Sequence, residues 1–317
     1  MTYSVGGLVE ATDFNTLVGG NPVTSANTLN TVWATGGTNA GYGQTPVSQV
    51  TIGQTIAASE WTSLINKTSN SASHQGTSIL SVTTPAAGDT IVSQSNIPTN
   101  LTSIYSGKLN AATQGTTLSN SVVYGSTWTN AVTFTFTVSF ASGDAARYFF
   151  NAGGQFKTTC AHANTAIGIN LMLNQLASNI GTVVMSSPIS GSATISSTSF
   201  NGITKIAGGG ASPTINTNAG YFAMTTGNTT LFSQPVSTGY VPYQSTNIAM
   251  VGKSNGTQGV NGDAGSIITL YVTWDEIPDN LTVGIGTTST LTAQVPETSY
   301  LANTWGTISI SGTASGT

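Results

Sequence analysis

Charge is what this sequence has least of. Only 5% of its 317 residues are Asp, Glu, Lys or Arg, against about 25% in an ordinary soluble domain. Ten acids and six bases leave a net charge of −4. Affinity for nucleic acid comes mainly from Lys and Arg neutralising phosphates. The six basic residues are widely scattered, so no nucleic-acid partner is expected. Long apolar runs are also missing. None approaches the ~20 residues of a spanning helix, which argues against membrane insertion. The single cysteine, Cys160, has no intrachain partner for a disulfide. The opening MTYSVGGLVEATDF has neither the basic nor the apolar stretch of a secretory signal. Both observations fit synthesis in a cytoplasm.

What fills the space is Thr, Ser, Asn and Gly, with 38% hydrophobic and 8% aromatic residues. Disorder needs low hydrophobicity and high net charge, so this chain has enough apolar material to fold. Its polar surface must consist of hydroxyls and amides. Such a surface can be buried against a neighbour without stranding an unpaired charge, and salt has little on it to screen.

Two stretches near the start match class by class: Ala11-Thr12-Asp13-Phe14-Asn15-Thr16-Leu17-Val18 and Ala58-Ser59-Glu60-Trp61-Thr62-Ser63-Leu64-Ile65. In each, Thr or Ser is a good helix N-cap, and the acid after it lies near the positive helix end. The spacing predicts two short amphipathic helices docked side by side, with Phe14, Leu17, Trp61 and Leu64 as candidate assembly contacts. The second is expected to run on to His74-Gln75-Gly76-Thr77. Leu101, Ile104, Tyr105, Lys108 and Leu109 predict a further helix, and 113–120 reads as a linker.

From Val122 the pattern turns to strands. Val132, Phe134, Phe136, Val138 and Phe140 alternate with Thr133, Thr135, Thr137 and Ser139, a period of two that marks a strand with one buried face. Ser142-Gly143-Asp144 supplies turn chemistry, and Tyr148-Phe149-Phe150 reads as a second, aromatic strand. Adjacent residues on a strand face opposite ways, so one of Phe149 and Phe150 would need a covering neighbour. Further strands are expected at 182–185, 193–200, 221–225, 247–251, 266–274, 281–285, 289–295 and 304–311. One helix is expected at 164–179, ended by Gly181, and the tail 312–317 should fray. The predicted fold class is mainly β, with an antiparallel sandwich-like body (122–317), a small N-terminal helical segment (1–112) and one or two short helices.

The search for chemistry finds little. Cys160 and His162 form a C-x-H pair, but zinc needs three or four ligands, so both are read as strand residues and no metal or cofactor is expected. Residues 261–265 resemble a calcium loop but lack its repeated acids. Gly208-Gly209-Gly210 lacks the Lys-Ser/Thr of a phosphate loop. Asp275, Glu276 and Asp279 read as a solvated turn ahead of a carboxylate pair, and no G-x-S-x-G elbow is present. No catalytic residue is assigned. Arg147, the only arginine, has a planar fork suited to a carboxylate. It reads as an ion-pair lock, with Asp144 or a more distant acid, ahead of an intersubunit or ligand contact. Tyr221, Tyr240 and Tyr243, beside Asn and Gln, are candidate glycan contacts. Trp33, Trp61, Trp128, Trp274 and Trp305 are expected in the core.

Several segments together carry a family resemblance: Ala40-Gly41-Tyr42-Gly43-Gln44, the Ser59-Glu60-Trp61 helix, His74-Gln75-Gly76-Thr77, and above all residues 134–155 with Ala146-Arg147-Tyr148-Phe149-Phe150-Asn151-Ala152-Gly153-Gly154. Their order and spacing resemble those of virion structural proteins of tailed bacteriophages, notably phages of cyanobacteria and other marine bacteria. The likeness covers most of 1–285. It implies a virion component with no catalytic residues, made in the host cytoplasm. The expected partners are other virion proteins and copies of itself, with a trimer by analogy to fibres. The expected place is tail-associated: a baseplate, neck or fibre subunit. A receptor- or glycan-binding module and a capsid decoration protein are the alternatives.

Overall fold

A computed structural model describes residues 9–20, 27–188, 191–237, 245–257, 264–276 and 281–317. The Phe/Thr alternation builds β2 (Ala131–Ser139). Its Val132, Phe134, Phe136 and Val138 are fully buried and stand opposite Trp274, Val272, Leu270 and Ile268 of β11 (Ile267–Asp275). The hydroxyl residues between them face the other way, and Thr133 and Thr273 share a hydrogen bond of 3.1 Å. These two strands sit within a six-stranded antiparallel sheet. Its order is β13 (Ser309–Gly316), β2, β11, β10 (Asn247–Ser254), β9 (Thr229–Pro235) and β8 (Thr214–Ile215). A five-stranded antiparallel sheet runs β1 (Gln114–Tyr124), β12 (Thr287–Pro296), β3 (Gln155–His162), β4 (Thr182–Met185) and β7 (Ile203–Ile206). Phe156, Val183 and Met185 of this sheet line a common small void with Met250, Leu270 and Val272 of the other. The sheets therefore pack face to face, and the molecule is mainly β with a sandwich-like body. A hairpin of β5 (Ala193–Ile195) and β6 (Thr198–Phe200) stands apart.

The N-terminal helices are α1 (Ala11–Val18), α2 (Leu29–Trp33), α3 (Ala58–Gln75) and α4 (Asn96–Ser106). The two matching stretches do lie together, with the Phe14 and Trp61 rings 5.9 Å apart. Their caps differ from expectation. Glu10 and Ala57 occupy the cap positions, and Asp13 and Glu60 accept hydrogen bonds from those residues' own N–H groups at 3.2 and 2.8 Å. The acids thus hold the positive helix ends, while Thr12 and Ser59 sit inside the first turn. One contiguous apolar cluster runs from Phe14 and Trp61 through the β2 phenylalanines to Ile308, so helices and sandwich share a core. All five tryptophans are buried in it or at its margin.

Six sequence readings are corrected. Residues 143–151 form α5 (Gly143–Asn151), a helix and not a strand. Ser142 caps it by accepting from the Ala145 N–H at 3.0 Å, and Ala145, Ala146, Phe149 and Phe150 recur at helical spacing, so both phenylalanines reach one core. The supposed linker 113–120 belongs to β1. The tail expected to fray is β13, paired residue by residue with β2. Its place beside a strand with one wholly apolar, buried face outweighs its glycines. Residues 221–223 form a short 3₁₀ turn, and of 281–285 only Val283 makes a strand-like bridge, to Trp128. The expected helix at 164–179 starts later, as α6 (Ile169–Ile180), with Gly181 at its end.

Candidate functional site

Three segments far apart in sequence meet at the junction of the helices and the sandwich: residues 34–44, residues 74–77 and α5. The first is a loop after α2 that doubles back on the helix end. Tyr42, Gly43 and Gln44 donate backbone hydrogen bonds to Val32, Ala34 and Trp33 at 2.8–3.0 Å. Glycine is needed at two points. Gly41 and Gly43 have positive φ, and a Cβ on Gly43 would fall 2.4 Å from Tyr148 Cδ2.

Into this loop α5 sends its polar face. Asp144, Arg147 and Asn151 recur at three- and four-residue spacing. The fully buried Arg147 donates from Nη1 to the carbonyls of Thr35 (2.9 Å) and Ala40 (3.0 Å), and from Nη2 to Asp144 Oδ1 (2.8 Å). Asn151 donates to the Gly41 carbonyl at 3.1 Å. Of the two partners the sequence left open, Asp144 and a more distant acid, the ion pair forms with Asp144, and it closes along a helix.

The end of α3 enters from the other side. Gly76 takes the left-handed conformation that stops the helix. Gln75 donates to the Tyr42 hydroxyl (2.8 Å) and to the Ile104 carbonyl (2.9 Å), and the Tyr42 hydroxyl donates to the Lys108 carbonyl (3.0 Å). His74 lies edge-on to the Tyr42 ring with centroids 5.3 Å apart, and its Nε2 stands 3.2 Å from the Ala152 carbonyl. A carbonyl only accepts, so Nε2 carries the proton. The segment ahead of β13 is tied in as well. Gln44 exchanges two hydrogen bonds of 2.9 Å with the backbone of Ala302, and Thr304 donates to the Tyr42 carbonyl at 2.6 Å.

Burial sets the electrostatics. It pushes the His74 imidazole down to about 4, with the Ala152 hydrogen bond and the Glu297 charge opposing, so the ring is neutral. It pushes the Tyr42 phenol up, with Gln75 opposing. A second buried network surrounds His162. Its Nδ1 lies 3.1 Å from Thr287 Oγ1 and its Nε2 3.0 Å from Asn170 Oδ1, and burial lowers its pKa too. Cys160 lies on the same strand, its thiol pushed up to about 12 by burial. Among the described residues, no group of three or more His, Cys, Asp or Glu side chains could hold a metal ion, and no helix is long and apolar enough to cross a membrane. The side-chain donors of this junction, hereafter the knot, point at one another and at fixed carbonyls, while the buried Asn151 Oδ1 accepts no hydrogen bond from the described residues. The knot's chemistry is that of holding three chain segments in one arrangement.

The other candidate residues fall as follows. Phe14, Leu17, Trp61, Leu64, Arg147, Phe149 and Phe150 are all buried within the chain, so none offers a surface to a second molecule. Tyr221 is also buried, stacked on Phe150 with ring centroids 4.4 Å apart, so its face is closed to a sugar. Tyr240, Tyr243, Asp263 and Asp279 lie outside the described residues. Glu276 is buried, not solvated. The Gly208–Gly210 stretch is an ordered turn, with Gly209 accepting from Lys205 and Gln234. Asn151, Gln75 and Gln44 were missed as site residues. For Asn151 the signal was present, since Asp144, Arg147 and Asn151 share a face only if 143–151 is helical.

Compared with protein-family models, with curated proteins and with solved structures, the chain has no match.

Proposed function

We propose that this chain is a structural component of a tailed-phage virion, tail-associated as a baseplate, neck or fibre subunit. It would be made in the host cytoplasm and built into the particle with other virion proteins and copies of itself, a trimer being the arrangement that fibre analogy favours. The observation that carries the reading is the convergence of AGYGQ, HQGT and the Asp144–Gly154 segment. The stretches that resemble phage virion proteins are the ones bonded together in the buried knot. Such residues fix a shape, which suits a part whose task is to hold position among neighbours. The sparse charge of the sequence supports the same reading. The proposal assigns no catalytic role.

The glycan-binding alternative loses one of its three aromatic candidates with the burial of Tyr221. Mass spectrometry of particles purified from the phage that encodes the chain tests the proposal, and absence of its peptides would end it. Antibody labelling in cryo-electron micrographs separates the locations. Label at the tail is expected, and label on the capsid would favour a decoration protein.

A further inference from the structure

The two long sides of the sandwich end differently. On one side lie β7 and β8, which are short, at four and two residues. β7 carries Lys205, whose ammonium bridges to Gln234 of β9 (2.8 Å) and so stitches the two sheets. Short edge strands and edge lysines are the usual protection against pairing with another chain.

The other side has longer edge strands and no lysine, and its two sheets are linked by Asn120 of β1, whose Nδ2 donates to the Ile310 carbonyl of β13 at 3.3 Å. There β1 ends the five-stranded sheet and β13 ends the six-stranded one. β1 has β12 on one flank and lies over β13. The two edges approach closely, and a Cβ on Gly312 would fall 2.5 Å from Val122 Cγ2. They form no ladder with each other. An irregularity in β1 is confined to residues 114–117, which leaves Thr117 to Tyr124 in regular register with β12. Along that length Thr117, Leu118, Ser119, Ser121 and Val123 are exposed, Val123 at 59%. No Asp, Glu, Lys or Arg occurs between Lys108 and Asp144, nor after Glu297. Both edges are therefore free of charge.

We propose that the β1/β13 side is a strand-pairing surface for a second copy of this chain. An edge strand presents backbone N–H and C=O groups that template another strand. A copy of the same chain is the partner that the charge pattern fits. In self-association each charge on the surface is brought near its own duplicate, and like charges opposite one another on paired strands are destabilising. This edge has no such charge to repel its copy, while the opposite side is shortened and carries a lysine. The inference rests on the assembly-subunit reading for its purpose, and on the sheet edges alone for its geometry.

The test uses the full chain. The wild type, a Thr117→Lys/Val123→Lys variant and a Thr117→Glu/Val123→Glu variant are compared by light scattering after size exclusion at low salt. Both positions are exposed and have strand-compatible neighbours, and circular dichroism confirms that each variant folds. The wild type should show a whole-number multiple of the 32.2 kDa chain. Each variant should fall to the single-chain mass, and a one-to-one mixture of the two should regain the multiple, which an unfolded variant could not do. A wild type at single-chain mass overturns the proposal, as do variants that keep the wild-type mass or a mixture that stays monomeric. Because no particle is involved, these outcomes are independent of whether the chain is found in virions.

Discussion

Arg147 brings the chain's only guanidinium into a fully buried position, with Asp144 on one side and the Thr35 and Ala40 carbonyls on the other. Breaking a buried charge pair by removing one partner costs about 3–5 kcal/mol. Asp144 is partly exposed, so water recovers some of this, and Arg147→Ala should cost about 3 kcal/mol. The check is the urea midpoint at unchanged slope. Arg147→Lys should recover less than half, because a point charge cannot replace the planar fork. His74 makes a prediction in pH. Its folded pKa, about 4, lies below the ordinary value of 6.5, so the unfolded chain takes up the proton first as pH falls. Stability is complete above about pH 6.5, drops as pH falls from there to about 4, and then levels for this group. The loss is on the order of 3 kcal/mol. His162, lowered by burial as well, adds to the slope with the same sign. Replacing His74 by Leu should flatten part of the slope in denaturant titrations across that window, and an unchanged slope would show that the ring is not held neutral. Cys160, pushed up to about 12, should resist alkylation at neutral pH in the native protein and react once urea unfolds it.

Helix α5 shows how a single element decides the knot. Its entry depends on Ser142, whose hydroxyl caps the Ala145 N–H, and Ser142→Ala should cost about 1 kcal/mol. The facing loop depends on Gly43. Gly43→Ala puts a methyl against the Tyr148 ring at positive φ, so it should lower the thermal midpoint clearly more than Gly125→Ala, where nothing lies within 4 Å. Similar effects at the two sites would argue against the close loop–helix fit. The same element marks where the sequence stops being legible. β2 could be read directly, because Val132 to Val138 alternate without a break, and so could β4, α3 and the stop at Gly76. Residues 143–151 have two periods available. The run Tyr148-Phe149-Phe150 favours a strand locally, and only its position over Phe156 and Tyr221 makes the helix the better burial. The knot was visible as motifs but not as a place, since AGYGQ, HQGT and α5 are joined by carbonyl contacts that no side-chain pattern records. The greater part of β13, beyond the 309–311 that the expected strand at 304–311 reaches, was missed for a related reason. Its Ser/Gly composition carries no strand signal, and its pairing comes wholly from β2.

At the scale of the molecule, one apolar cluster joins the N-terminal helices to the sandwich. Heating should therefore give a single calorimetric transition for both, and two separated transitions would mean that the helices fold as an independent unit. Deleting residues 309–317 should be severe for the same reason. It would strip β2, whose inward face is wholly apolar, of one flank and leave Phe134 and Phe136 at an open edge, so the shortened chain should aggregate on expression. The position of β13 also sets a clock. β2 leaves the ribosome roughly 170 residues before its flanking partner does, which at 5–20 residues per second is a wait of about 10–30 s. Its other partner, β11, also follows far behind. For that interval four large apolar side chains have no sheet to join, and contacts so distant along the chain are slow to close. The nascent protein is thus most prone to self-capture during its own synthesis, and the yield of folded protein should rise when translation is fast relative to encounter between chains.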